Sequence, residues 1–158
     1  MATTLSLPPS AEVGSFLASL FGLEVDACEA EGLDASLVRA CAEYVDEDGH
    51  VGGLIACSLK GAAVLGAALT RIPLGAAEDA ADEGALTPTL AENAGEVFNI
   101  AVNLVPQSFD RRLSFGNATY GEEARSTFAA RSNRAEFSSY QLTMQQYGDV
   151  LITIGTKG

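Results

Sequence analysis

The sequence predicts an α+β domain in which an antiparallel sheet is packed with long helices. Apolar residues recur at helical spacing over residues 87–105, whereas polar and apolar side chains alternate over residues 137–146. The candidate elements follow one another as helix, strands, two helices and strands, an order typical of helices packed on antiparallel sheet. We expect a flexible N-terminus over residues 1–9 and a single domain over residues 10–158.

The first half of the chain begins with a predicted helix. Ser10 is a candidate N-cap for residues 11–22, where apolar side chains recur at i, i+3, i+4 and i+7. Residues 23–31 are predicted to form a short strand or an extended segment. Residues 37–45 and 51–59 are predicted to pair as a β-hairpin, because an acidic turn ending in glycine separates them.

A short helix and a linker are predicted next. Ser58 caps the helix over residues 60–71 in this interpretation, and Pro73 ends it. Residues 72–86 are interpreted as a linker that is either a solvated acidic loop or a docking loop for a partner. Its acidic side chains are Glu78, Asp79, Asp82 and Glu83.

The central helix is predicted over residues 87–105. Thr87 is a good N-cap, Pro88 suits the first helical position, and Pro106 ends the run. We expect one apolar stripe of this helix to face the sheet. Its members are Leu90, Ala94, Val97, Ala101 and Leu104.

A narrow polar stripe lies on the opposite side of this helix. Helix stability alone would not select it, because two Glu one turn apart repel by about 0.2–0.5 kcal/mol and a mid-helix Asn costs up to about 0.7 kcal/mol relative to Ala. Both a functional site and a solvated face remain open as interpretations. The stripe consists of Glu92, Glu96, Asn99 and Asn103, within an arc of about 60°.

The remainder of the chain is predicted to be mainly β. Residues 113–120 form a candidate strand, and residues 122–134 are polar and are interpreted as irregular. Residues 137–146 and 150–154 are predicted to pair as a second hairpin. Helix, strand and hairpin thus recur in each half of the chain, as a faint internal symmetry.

Charge and composition exclude several classes of function. The net charge of −12 argues against nucleic-acid binding and against anionic membranes, since both need clustered Lys and Arg. No apolar run approaches the roughly 18–20 residues of a membrane span. The first residues lack the charged and hydrophobic regions of a signal peptide, so the sequence predicts a cytoplasmic protein.

Several familiar catalytic sites are also disfavoured. His50 is the single histidine, which excludes histidine-centred triads and His-rich metal sites. Cys28, Cys41 and Cys57 are widely spaced and lack a C-x-x-C pair, so we expect reduced, part-buried thiols that bind no metal. No phosphate-binding glycine loop and no nucleophile elbow is present.

The motif Glu96-x-x-Asn99 on a long amphipathic helix resembles the active motif of the chemotaxis phosphatases of the CheC/CheX/FliY type. The order of elements around it is similar over residues 10–156, with a hairpin, an Ala-rich helix and an acidic linker before it and two β segments after it. The chain looks closest to CheX, which has a single active motif. In this chain the first helix carries Glu12-x-x-Ser15, which lacks the Asn of a second site.

The resemblance implies a phosphatase that acts on the aspartyl phosphate of a CheY-like response regulator. Asn99 would orient the attacking water, and Glu96 would dock a lysine of the regulator. Glu92 and Asn103 would contact the partner, although Asn103 replaces the small residue that the family often has there. The protein would need no cofactor of its own, because the regulator brings its Mg²⁺. A homodimer is left open.

Two alternatives remain at this point. The chain could be a non-catalytic module of the same fold that binds a response regulator or a flagellar-switch protein, and the bulkier Asn103 favours this interpretation. It could also be an unrelated α+β scaffold whose polar stripe is only a solvated face.

Overall fold

The computed structural model of the chain describes residues 6–107, 110–132 and 135–157. Within those ranges the helices are Ser10–Phe21 (α1), Leu59–Leu69 (α2), Leu74–Glu83 (α3), Pro88–Ile100 (α4) and Glu122–Ser132 (α5). The strands are Val25–Ala30 (β1), Ala40–Val45 (β2), Val51–Cys57 (β3), Ser114–Tyr120 (β4), Ala135–Met144 (β5) and Gly148–Lys157 (β6). Short 3-10 helices cover Ala35–Leu37 and Ala101–Leu104. The predicted α+β architecture and both hairpins are confirmed.

All six strands belong to one antiparallel sheet in the order β1-β5-β6-β3-β2-β4. The two hairpins, β2–β3 and β5–β6, meet at its centre through the pairing of β3 with β6. Each edge strand pairs with the hairpin of the other half, since β1 lies beside β5 and β4 lies beside β2. The internal symmetry expected from the sequence therefore appears in the strand order.

The sheet separates two apolar clusters of different size. The larger cluster joins α1, α2, α3 and α4 to one face, through strand residues such as Ile55 and Ile152. The smaller one places Ala124 and Phe128 of α5 on the opposite face, against Leu54. Helices thus cover both faces, and α4 belongs to the thicker layer.

Two segments differ from the sequence prediction because their apolar side chains are mostly alanine. Residues 72–86 are not a linker, since they contain helix α3, which buries Ala77 and Ala80 and exposes its carboxylates. Residues 122–134 were predicted to be irregular, but α5 occupies most of them. Only two side chains of α5, an alanine and a phenylalanine at i and i+4, are buried against the sheet. Two apolar positions in a polar segment are too few to predict a helix.

Several boundaries also differ, and three of these differences change the local structure. The central helix is α-helical only to Ile100 and continues as the 3-10 segment Ala101–Leu104. Helix α1 begins at Ser10 itself, with Pro9 in the N-cap position and no side-chain cap. Strand β2 begins at Ala40, because the 3-10 turn Ala35–Leu37 occupies the start of the predicted strand.

The segment before α1 is described from residue 6 onward, so residues 1–5 of the predicted flexible N-terminus lie outside the described residues. Leu7 packs against the larger apolar cluster, and the hydroxyl of Tyr140 donates to the Pro8 carbonyl at 2.6 Å. Among the helices of the described ranges, none has the length and apolar character needed to cross a membrane.

Candidate functional site

Helix α4 is anchored first at its N-terminus and along its apolar side. The Thr87 hydroxyl accepts a hydrogen bond from the Leu90 amide at 3.2 Å, as the N-cap prediction requires. The predicted apolar stripe is buried throughout, with every member at most 3% exposed. Its members are Leu90, Ala94, Val97, Ala101 and Leu104. The opposite side of α4 therefore faces outward.

All four residues of the polar stripe are exposed. Glu92, Glu96 and Asn99 lie on α4, and their side chains form no hydrogen bond or ion pair with any residue that the structure describes. Glu96 and Asn99 are three residues apart, which places their Cβ atoms about 5–6 Å from each other on a helix surface. Two unengaged polar groups of different chemistry thus stand side by side.

Asn103 occupies a different local structure from the other three. It lies in the 3-10 segment, where each residue advances by about 120° rather than 100° around the axis. Its amide nitrogen donates to the Ile100 carbonyl at 3.0 Å. This bond engages one end of the carboxamide, while its oxygen forms no hydrogen bond within the described part of the chain. Its predicted role in binding a partner stays a prediction, as do the roles of the other three residues.

The middle of α4 is fixed by α2, through contacts that the sequence did not predict. The Asn93 amide nitrogen donates to the Gly66 carbonyl at 3.0 Å and to the Thr70 hydroxyl at 2.8 Å. Gly66 lets the two helices approach, since a Cβ there would lie 2.7 Å from the Leu90 carbonyl oxygen. In the sequence Asn93 cannot be distinguished from a surface carboxamide. Its role in holding α4 against α2 is seen only in the structure.

Several solved structures superpose on most of this chain. The FliM middle domain from H. pylori has a TM-score of 0.51 at 9% identity, covering 94% of this chain and 84% of its own. The FliG–FliM complex from H. pylori gives 0.50 at 8%, covering 94% and 86%. FliY from Thermotoga maritima gives 0.49 at 8%, covering 99% and 93%. No protein-family profile and no curated protein matches the sequence.

The chain has the FliM middle-domain fold. The predicted CheC/CheX/FliY-type architecture is therefore confirmed at the level of fold. At sequence identities of 8% and 9%, the similarity supports a shared fold only. A closer similarity to CheX than to other members stays a prediction.

In this FliM-like fold, α1 is the counterpart of α4 in the other half of the chain. Glu12 and Ser15 are both exposed on α1, as Glu96 and Asn99 are on α4. Serine offers a short hydroxyl in place of a carboxamide, so it lacks the separate donor and acceptor groups of Asn. The motif with both groups occurs on α4.

The β2–β3 turn contains the one group of metal-ligand residue types in the described ranges, Asp46, Asp48 and His50. Asp46 already accepts from the backbone amides of Asp48 and His50, at 2.9 and 3.0 Å, and from Arg111 Nε at 3.2 Å. These bonds, chiefly the one from the His50 amide, lower the pKa of Asp46. The carboxylate thus organises the turn, and a cation at its Oδ2 would compete with the positive charge of Arg111.

The cysteines are free thiols, as predicted, although Cys28 is exposed rather than part-buried. Cys41 and Cys57 are fully buried in the two different apolar clusters, so the sheet separates their side chains. Burial raises the pKa of each of these thiols to about 12. A protonated, inaccessible thiol is a poor nucleophile, so neither is a candidate for covalent catalysis.

Proposed function

We propose that the protein is a phosphatase for the aspartyl phosphate of a CheY-like response regulator. The observation that carries this proposal is the pair Glu96 and Asn99, which are exposed on one face of an anchored helix and form no hydrogen bond or ion pair with the described residues. An acyl phosphate is already reactive, so a helper protein has only to admit and orient water. The structure offers surface groups suited to that task and needs no pocket for the substrate.

Asn99 supplies the orienting group. Its carboxamide oxygen accepts a hydrogen bond from water, and its amide nitrogen donates one, without titrating. The water oxygen attacks phosphorus as the bond from phosphorus to the aspartyl oxygen breaks, giving inorganic phosphate and a free carboxylate. Positioning water in line with the leaving oxygen is the main contribution a protein makes to such a transfer. The Mg²⁺ of the reaction belongs to the regulator.

Glu96 supplies the docking charge. Its exposed carboxylate can pair with a lysine of the regulator across the interface. Glu92, one turn earlier, adds a second negative charge on the same face, and the net charge of −12 favours approach of a basic rim. An ion pair formed at a wet interface acts mainly on association and register, so we assign Glu96 to binding and Asn99 to rate.

A second candidate function is a non-catalytic module that binds a protein partner. Its support is the fold, because one of the superposed structures is FliM in complex with FliG. Asn103 adds a specific reason, since its side chain stands exposed where the resembling phosphatases often have a small residue. Binding without phosphate release would be the behaviour of such a module.

Asn99→Ala and Glu96→Ala separate these functions. We expect Asn99→Ala to leave regulator binding nearly unchanged and to lower the rate of phosphate loss by at least about tenfold, because water orientation matters only in the transition state. Glu96→Ala should weaken binding, and wild-type affinity should fall as salt rises. Phosphate release from a phosphorylated regulator and calorimetric binding are the measurements.

Matched control variants exist elsewhere on the surface. Asn117→Ala removes an exposed carboxamide from β4, and Glu78→Ala removes an exposed carboxylate from α3. Both should behave as wild type. An Asn99→Ala variant that releases phosphate as fast as wild type would contradict the phosphatase mechanism. Wild-type protein that binds the regulator but releases no phosphate would favour the binding module, and Asn103→Gly would then be the first replacement to test.

A further inference from the structure

Tyr44 links the sheet to the helix that carries the polar stripe. It lies on β2 and is fully buried, and its ring tilts against Phe115 of β4 with centroids 6.0 Å apart. Its hydroxyl donates to the backbone carbonyl of Phe98, on α4, at 2.7 Å. This short, buried bond reaches α4 from the interior of the fold, away from the exposed stripe.

The Phe98 carbonyl belongs to the peptide unit whose nitrogen is that of Asn99. The regular α-helix ends soon after it, at Ile100, and the tighter 3-10 segment begins at Ala101. Peptide planes can tilt where one helical geometry gives way to another. A carbonyl oxygen has two lone pairs, so a bond from Tyr44 holds this plane in addition to any bond within the helix.

The Tyr44 hydroxyl also stays protonated and therefore remains a hydrogen-bond donor. Burial raises the pKa of Tyr44 well above its ordinary value of 10, and the nearby Cys41 and Cys57 thiols add to the effect. The hydroxyl therefore keeps its proton throughout the physiological range. Without it the buried Phe98 carbonyl would lose a partner that water cannot replace, and the orientation of this peptide plane would be less tightly fixed.

We propose that Tyr44 is a positioning residue that sets the orientation of Asn99 for attack by water. The inference rests on the proposed phosphatase function, and Tyr44 itself touches neither water nor regulator. A misplacement of about 1 Å in a reacting group can cost on the order of a hundredfold in rate. Tyr44 acts on the peptide of Asn99 and not on the exposed face, so its loss should lower turnover and leave docking intact.

Tyr44→Phe tests this role, because it removes the hydroxyl and keeps the ring. We expect kcat to fall roughly ten- to a hundredfold while KM for the phosphorylated regulator stays within about twofold. The carbonyl ¹³C resonance of Phe98 and the side-chain amide resonance of Asn99 should both shift. Each variant is assayed well below its own melting midpoint, so that loss of fold does not enter the rate.

Tyr140→Phe is the matched control. Tyr140 is fully buried on β5, and its hydroxyl also donates to a backbone carbonyl, that of Pro8, at 2.6 Å. It should keep the wild-type kcat and the wild-type resonance of Phe98. An equal loss of rate in both variants would identify general destabilisation and overturn the inference.

The remaining outcomes separate this inference from the function on which it rests. An active wild type with Tyr44→Phe within about twofold of its kcat overturns the role of Tyr44 and leaves the phosphatase function standing. A wild type without activity overturns the phosphatase function and this role with it. A rise in KM with unchanged kcat also overturns the inference, because it would place Tyr44 in docking.

Discussion

Gly66→Ala is the change that most directly tests how α4 is held. A Cβ at Gly66 would lie 2.7 Å from the Leu90 carbonyl oxygen and 3.1 Å from the Ala94 nitrogen, both backbone atoms of α4. Ordinary contact begins at 3.4 Å, so α2 and α4 must separate by about 0.7 Å at this point. Backbone atoms cannot rotate away as a side chain would, so the strain falls on the helix pair.

The size of the effect follows from two opposing terms. Overpacking of this kind costs about 1–3 kcal/mol, whereas replacing a mid-helix glycine by alanine stabilises a helix by about 1 kcal/mol. Gly95→Ala isolates the second term, because Gly95 lies within α4 and a Cβ there meets nothing within 4 Å. We expect Gly95→Ala to be more stable than wild type and Gly66→Ala to be less stable than Gly95→Ala by about 1–3 kcal/mol.

Urea denaturation followed by circular dichroism measures this difference. The two substitutions share the same change in helix propensity, so their difference reports the contact alone. If the two variants differ by less than about 0.5 kcal/mol, α2 and α4 do not approach as closely as the structure has them, since surface substitutions fall in that range. Separation of the helices would also stretch the hydrogen bond from Asn93 to the Gly66 carbonyl, which is 3.0 Å long.

Two further predictions concern burial. Leu104→Ala should lower the free energy of unfolding by about 2–5 kcal/mol, because Leu104 is only 3% exposed. Leu37→Ala is the control, since its side chain is 58% exposed and its loss should change the free energy of unfolding by less than about 0.5 kcal/mol. Equal effects in urea denaturation would contradict the assignment of the apolar stripe. A thiol reagent at neutral pH should label only Cys28 in the native protein and all three cysteines after unfolding, because Cys41 and Cys57 are buried with pKa values of about 12. Fast native labelling of more than one thiol, or a native mass lower by two hydrogens, would contradict it.

The sequence was informative where the local pattern is strong. The spacing of Leu90, Val97 and Leu104 predicted both the buried side of the central helix and the exposure of Glu96 and Asn99 opposite it. A periodic stripe of large apolar residues leaves one way to seat a helix on a sheet. Helices α3 and α5 were missed because alanine supplies both buried side chains of α3 and one of the two in α5, and alanine hardly distinguishes a helix face from a polar loop.

The anchors of the site could not be predicted for a different physical reason. Asn93 and Gly66 are 27 residues apart, and Tyr44 and Phe98 are 54 apart. In each case one member is a backbone carbonyl, which carries no side-chain signal. A tyrosine in a strand and an asparagine in a helix are ordinary residues until the fold brings them to a partner. The sequence therefore indicated which side chains are presented, whereas the structure shows what holds them.

The exposed residues of the stripe and the buried residues that hold α4 should respond differently to substitution. This difference tests whether the polar stripe is a functional site or only a solvated face. Changes at Glu96 and Asn99 remove exposed groups that form no hydrogen bond or ion pair with the described residues, so they should alter docking or rate without melting the domain. Changes at Gly66 and Tyr44 alter groups that are inside the fold. A Cβ at Gly66 should lower stability and displace α4 with its stripe, whereas loss of the Tyr44 hydroxyl should reorient only the peptide of Asn99. On a merely solvated face, a small displacement of α4 would have no consequence beyond stability. If the stripe is a functional site, variants that displace α4 should release phosphate more slowly although the exposed residues are unchanged, and the loss should grow with the displacement. A solvated face predicts no such loss.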